Sequence, residues 1–237
     1  MKHRIRFSDI LLREDDDYMI VNKPPGLSTL HDRSDPINLL DMAREYHAEA
    51  QVCHRLDKDT SGVLVLARNP EAYRHLALQF QNRTVDKVYQ AVCDGLHDFR
   101  DTVVDRPLKK STDGIVRIHR DGQPAQTVFN TIAVYRMHTL ISCRPITGRM
   151  HQIRVHLASK GAPITGDTTY GGRPFYLSSI KRHFNLGKYE NEEPLMKRLA
   201  LHAFSIRFED RSNNPVFVEA PLPKDMRALI RQLEANR

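Results

Sequence analysis

Cysteine is scarce in this sequence: Cys53, Cys93 and Cys143 are three in number and far apart. No Cys-x-x-Cys pair occurs, so neither a disulfide framework nor a zinc ribbon organises the chain. A reduced, cytosolic setting is the expectation. Long apolar runs are also lacking, and none reaches the length of a membrane-crossing helix. Met1–Arg6 is charged and has no apolar core of the kind a secretion signal carries. No internal repeat and no dividing linker is visible. The expectation is a single domain over residues 1–237, with no membrane partner.

What the chain does have is positive charge. Lys and Arg number 36 against 29 Asp and Glu, a formal net charge of +7. A basic balance suits a polyanionic partner, although many soluble proteins are mildly basic.

Polar and charged side chains of both signs crowd together next to one apolar run. His54-Arg55-Leu56-Asp57-Lys58-Asp59-Thr60-Ser61-Gly62 gives way at once to Val63-Leu64-Val65-Leu66-Ala67. The run has the length and β-branched content of a buried strand. Loops at the ends of rigid strands commonly carry chemistry. Arg55 and Lys58 flank Asp57, with Thr60 and Ser61 just after it. Nearby cations and hydroxyl donors favour an ionised carboxylate. A charged turn capping a strand is the ordinary alternative.

Along the chain, residues 1–17 are charged and poorly patterned. Tyr18–Val21 reads as a short strand, and Asn22-Lys23-Pro24-Pro25-Gly26-Leu27 as a turn forced by two prolines and a glycine. Asp35-Pro36 reads as a helix start, with Ile37, Leu40, Ala43 and Tyr46 at helical spacing. Asn69-Pro70 opens a second helix with Ala72, Leu76 and Phe80 on its buried face. Lys87–Val92 alternates as a strand, and Ile115–His119 is a short strand between two Asp-Gly turns. A strand through Tyr135 is followed by Leu140–Cys143 as its hairpin partner. Met150, Ile153 and Leu157 predict a helix stopped by Gly161 and Pro163. Residues 173–198 read as a charged surface insertion. Leu199–Phe208 and Val216–Val218 are further strands, and Met226, Leu229, Ile230 and Leu233 share one helical face. Many strands and few helices predict a mixed α+β fold with a largely antiparallel sheet.

His-Arg-Leu-Asp-x-x-Thr-Ser-Gly at 54–62 resembles the signature of the RluA-type pseudouridine synthases. Three more stretches match in the same order: the Asn-Lys-Pro-x-Gly loop at 22–26, the strand Lys-x-Tyr-x-Ala-x-Val around Tyr89, and Thr147-Gly148-Arg149-Met150-His151-Gln152-Ile153-Arg154-Val155-His156. Gly166-Asp167 with Tyr170, and Leu201-His202-Ala203, match weaker family positions. The resemblance runs from about Tyr18 to the C-terminus. Many members begin with a small RNA-binding domain, for which this sequence leaves no room. The expectation is a short-form member, with RNA held by the catalytic domain itself, and a target in ribosomal or transfer RNA.

The resemblance implies Asp57 as the catalytic residue, acting as nucleophile, base or electrostatic partner. It implies Arg154 as the ion-pair partner of Asp57 and Tyr89 as the tyrosine facing the uracil. Arg55 is implied as the side chain that fills the stack when a base leaves it. His54, Lys58, Arg149 and His151 are read as further RNA contacts, and the Asn22–Leu27 loop as structure near the site. The isomerisation needs no electron carrier or group donor, so no cofactor is expected. No metal is expected either, because His151 and His156 lie five apart, not at the four-residue spacing of helical ligands. A monomer is expected. Two other readings remain: an RNA-binding protein that kept the fold and lost catalysis, and a glycosidase pairing Asp57 with Asp59.

Overall fold

The computed structural model describes residues 5–31, 37–182, 184–185 and 191–237. In chain order its strands and α-helices are β1 (Leu11–Glu14), β2 (Tyr18–Lys23), α1 (Leu39–Tyr46), β3 (Gln51–Val52), β4 (Ser61–Ala67), α2 (Pro70–Asn82), β5 (Asp86–Asp94), β6 (Thr102–Asp105), β7 (Leu108–Lys110) and β8 (Val116–Ile118). There follow β9 (Gln126–Val134), β10 (His138–Pro145), α3 (Gln152–Ser159), β11 (Leu201–Glu209), β12 (Pro215–Glu219) and α4 (Lys224–Ala235). The fold is mixed α+β with mostly antiparallel strand pairs, as the alternating runs predict.

The chain divides into two compact units. The first comprises Met1–Val88 and His202–Pro221, the second Tyr89–Leu201 and Leu222–Arg237. In the first unit the strand order is β1-β2-β4-β11, with β3 also on β4 and β12 on β11. All seven residues of β4 are buried. That is what an unbroken apolar run permits and an alternating one does not. β4 pairs antiparallel with β2 and parallel with β11, where His202 faces Ser61 and Ala203 faces Gly62. Gly62 is required there: its φ is +120°, and a Cβ would lie 2.2 Å from the Ala203 carbonyl oxygen. Helix α2 starts as expected, with the Asn69 side chain accepting from the Ala72 N–H at 2.8 Å.

In the second unit β5-β10-β9-β6 run antiparallel, and β7–β8 form a separate two-stranded ribbon. Its core joins Val92, Ile141 and Cys143 of the sheet to Ile153 and Leu157 of α3 and to Met226, Leu229 and Leu233 of α4.

Four expectations need correction or limits. The Asp35-Pro36 start lies outside the described residues. Helix α1 is capped by Asn38 and buries Leu39, Met42 and Ala43, while Ile37 precedes it and is exposed. Met150 is also exposed, because His151 takes a left-handed φ of 54° and breaks the register before α3 begins at Gln152. Among the described residues of the charged stretch 173–198, Phe175, Ile180 and Met196 are buried, and Phe175 bridges to Met196. Three apolar residues among many charges gave no readable period. Likewise the poorly patterned N-terminal stretch buries Phe7 and Ile10 ahead of β1.

Candidate active site

The first unit carries the Asp57 loop, and its main chain is tied down on both sides of the carboxylate. Before it, the Thr29 hydroxyl donates to the Leu56 carbonyl at 2.8 Å and accepts from the Leu56 N–H at 3.2 Å. After it, the Lys58 carbonyl accepts from the Gly26 N–H at 3.0 Å and from the Lys23 ammonium at 3.0 Å. Lys23 is fully buried, and its ammonium also donates to the carbonyls of Pro24 at 3.0 Å and Leu27 at 2.8 Å. An ammonium has three N–H donors, and three main-chain oxygens match them. The Asn22–Leu27 turn is therefore a clamp on the Asp57 loop. The Thr60 N–H closes the loop on the Asp57 carbonyl at 3.0 Å.

The end of the motif is structural. The Ser61 hydroxyl lies 3.0 Å from Nδ1 of His202, whose Nε2 lies 3.0 Å from the Ala220 carbonyl. A carbonyl can only accept, so Nε2 carries the proton and Nδ1 accepts from Ser61. At the other end, Nε2 of His54 accepts from the Val65 N–H at 3.0 Å, and the ring stacks on Phe80 at 4.7 Å. Burial, with Lys87 nearby, pulls its pKa down to about 3. His54 is thus a neutral ring that holds the loop to β4. Between these anchors Asp57 is half-buried, and Arg55, Lys58 and Asp59 are exposed.

The second unit carries the other predicted residues. Tyr89 lies on β5 opposite Cys143 of β10, half-buried against the core. Arg154 is no solvent-facing helix arginine. Only 8% of it is exposed, and α3 buries every residue from Gln152 to Leu157. Its guanidinium donates two parallel bonds to Asp167, Nε to Oδ2 at 2.7 Å and Nη2 to Oδ1 at 2.8 Å. It also lies over the Tyr170 ring, 4.9 Å from the centroid. The Tyr170 hydroxyl accepts from the Val116 N–H at 3.0 Å and bonds Nδ1 of His151 at 2.8 Å. Tyr170 thereby joins two predicted residues, His151 and Arg154.

The stretch leading into α3 is set by Gln152. Its Oε1 accepts from the Thr147 hydroxyl at 2.6 Å and the Arg149 N–H at 3.0 Å. Its Nε2 donates to the Gln126 carbonyl and the Thr127 hydroxyl, both at 2.9 Å. The buried amide thus uses every donor and both ends of its acceptor, which fixes the entry to the helix. His156 is neutral by the same logic as His202, held between Thr127 at 2.9 Å and the Arg106 carbonyl at 3.0 Å, with its pKa lowered by burial. Arg149 is half-exposed, with Nε on the Pro124 carbonyl at 3.2 Å.

His54, Arg55, Asp57 and Lys58 therefore share one loop of the first unit. Arg149, His151 and Arg154 share one loop and helix of the second, with Tyr89 on a separate strand there. Sequence reasoning gave no role to Lys23, Gln152, Asp167 or Tyr170. All four stand in stretches that match the family pattern, and that placement is the signal that could have singled them out. Among the described residues no three His, Cys, Asp or Glu side chains come together in a way that could hold a metal ion.

A family model described as RNA pseudouridylate synthase matches residues 17–159, a stretch that draws on both units. A ribosomal large subunit pseudouridine synthase C of Vibrio vulnificus is 34% identical over 234 residues, spanning 97% of this chain and 70% of the relative. The protein of the same name in Escherichia coli is 33% identical over 238 residues, spanning 97% and 72%. Among solved structures, human RNA pseudouridylate synthase domain containing 4 aligns with a TM-score of 0.72 at 26% identity, over 96% of this chain and 94% of that one.

Proposed function

We propose that this chain, which belongs to the RNA pseudouridylate synthase family and is an RNA pseudouridine synthase, acts on uridines of ribosomal RNA with Asp57 as its catalytic residue. The reaction is an isomerisation on one ribose. The N1–C1′ bond of uridine breaks, a C5–C1′ bond forms, C5 loses a proton and N1 gains one. No electrons leave the nucleotide and no group enters it. What the enzyme supplies is a fixed carboxylate, a place for the loosened base, and a grip on the RNA.

The observation that carries the reading is the anchoring of the Asp57 loop. Its main chain is held by Thr29 on one side and by Lys23 and Gly26 on the other. A catalytic group must be held to within a fraction of an ångström, and such anchoring does that without covering the carboxylate. Arg154 provides a second support. We assign Arg154, whose guanidinium is oriented by Asp167, as the ion-pair partner of Asp57. Tyr89 faces the base, and Arg55 replaces it in the stack. Lys58, Arg149 and His151 hold the RNA, with His54 fixing the loop from which Arg55 and Lys58 project.

The names of the relatives, ribosomal large subunit pseudouridine synthases, support the ribosomal target. The family match draws on both units, which favours one catalytic domain rather than two separate functions. The enzyme works as a cytoplasmic monomer in this reading; no described helix is long and apolar enough to cross a membrane. With a net charge of +7, RNA binding is electrostatic, each neutralised phosphate on a single strand adding a slope of about −0.7 to log affinity against log salt.

The test uses ribosomal RNA transcripts carrying tritium at C5 of uridine. The expected result is tritium released to water in step with pseudouridine formed. Unchanged RNA would mean a binding protein without catalysis, and free uracil would mean a glycosidase; either overturns the proposal.

A further inference from the structure

The ion pair between Arg154 and Asp167 is more deeply buried than a surface contact would need. Asp167 is 2% exposed and Arg154 8%. Taking both charges out of water is costly, and a well-packed apolar pair is often as stable or more so. Such a pair therefore has to be explained by the geometry it enforces. Two parallel bonds at 2.7 and 2.8 Å fix the plane of the guanidinium, and the Tyr170 ring at 4.9 Å supports one of its faces.

The segment 164–172, which presents Asp167 and Tyr170, is itself rigidly built. The Asp167 carbonyl accepts from the N–H groups of Tyr170 at 3.1 Å and Gly172 at 2.9 Å, and its own N–H donates to Ile164 at 2.9 Å. A Cβ on Gly172 would lie 1.8 Å from the Ile164 carbonyl oxygen, so only glycine closes this turn. Thr165 ties the segment to β5 through its hydroxyl bond to Asp94 at 2.6 Å and its N–H bond to Val92 at 2.9 Å. On the other side Gly166, at φ +82°, packs against the Arg198 carbonyl, where a Cβ would sit at 2.1 Å. Arg198 is held in turn by a bidentate pair with Asp225 of α4, at 2.7 and 3.0 Å. Anchors from β5 and α4 thus converge on one carboxylate and one ring, and both of these meet Arg154.

We infer that Asp167 is a positioning residue for the isomerisation, which sets the orientation of the Arg154 guanidinium, with Tyr170 as the platform beneath it. The inference rests on the reading that Arg154 serves the catalytic Asp57. Asp167 touches neither substrate nor reacting atoms in this account. It acts only through Arg154.

The test is a double-mutant cycle read in kcat, KM and RNA affinity, with folding followed by circular dichroism. Asp167→Asn keeps the shape but sets an N–H₂ group against a guanidinium that can only donate. The expected result is a kcat lower by about 100-fold, the size of effect a misplaced catalytic group produces. KM and RNA affinity should stay within about threefold. In an Arg154→Lys background the same change should lower kcat no further. A wild-type kcat for Asp167→Asn, while Asp57→Asn is inactive, overturns the inference and leaves the enzyme reading standing. A further tenfold loss in the Arg154→Lys background also overturns it, because Asp167 would then act independently of Arg154. If Asp167→Asn does not fold, Asp167→Glu keeps the charge and displaces the guanidinium. A loss of kcat at unchanged KM is then expected, and an undiminished kcat contradicts the inference. Active Asp57→Asn protein would remove the underlying reading instead.

Discussion

The Asp57 loop and the Arg154 helix reach rigidity by opposite means. Around Asp57 the bonds run to main-chain atoms: Lys23 and Thr29 grip carbonyls and N–H groups of Leu56 and Lys58. The Asp57 side chain is left half-buried between exposed neighbours. Around Arg154 the bonds run to the side chain itself, through Asp167 and Tyr170, and the helix is buried on every side. A loop held by its backbone can exchange its side chain without losing its fold. A side chain built into the interior cannot. The difference predicts which substitutions separate chemistry from stability and which join them.

The largest combined effect belongs to Arg154→Ala. It removes the guanidinium and strands the Asp167 carboxylate, so stability should fall by about 3–5 kcal/mol. Isomerisation should fall by about 100-fold or more. Urea unfolding and tritium release measure the two, and a variant with wild-type stability would break the contrast between the regions.

Lys23→Met probes the backbone grip. Methionine fits the buried path but cannot donate to the three carbonyls; that of Lys58 keeps the Gly26 N–H, whereas those of Pro24 and Leu27 lose the ammonium, and a buried acceptor left without its donor costs about 1–3 kcal/mol. A loss of about 3 kcal/mol is expected, with kcat falling as the loop loosens. Unchanged unfolding would show that the loop does not depend on this clamp.

Arg55→Ala should leave unfolding unchanged, since the side chain is exposed. On structured RNA it should slow the reaction by about tenfold, because an extruded base leaves a gap to be filled. On a flexible single strand the change should be small. Equal slowing of both substrates would remove the stacking role.

The smallest effect is a change in acid sensitivity. His54 has a folded pKa of about 3, below its ordinary value of 6.5. Between those values the unfolded chain binds a proton that the folded one refuses, so this residue lowers stability as pH falls through that window. His54→Gln keeps an acceptor for the Val65 N–H and has no proton to take up. Its stability should therefore decline less than that of the wild type from pH 6.5 downward, as read by urea unfolding at several pH values. Parallel curves would place the acid sensitivity elsewhere.

The same contrast decides how much could be read from the sequence. β4 was legible because an unbroken apolar run has few ways to be satisfied. The hairpin of β9 and β10 and the cap at Asn69 were legible because their signals are local. Asp57 is singled out by the resemblance of its whole motif to a family signature, because its charged neighbours alone fit an ordinary capping turn equally well. The partner of Arg154 was not legible in this way. Asp167 lies 13 residues on, across a turn whose closure depends on Gly172, and no periodicity links the two. Lys23 was hidden for a related reason. A lysine beside Pro-Pro-Gly reads as a solvated turn, and only the approach of the Lys58 carbonyl turns it into an interior clamp. The anchors of 173–198 were missed because Phe175, Ile180 and Met196 follow no single period.

The central claim is that the Asp57 carboxylate carries the chemistry from a loop whose fold does not need it. The direct measurement is Asp57→Asn beside the wild type, with tritium release from C5-labelled ribosomal RNA, RNA binding and urea unfolding read on the same preparations. The account predicts no detectable release, binding within about threefold, and a loss of stability well below that of Arg154→Ala. Turnover near the wild-type rate would contradict it.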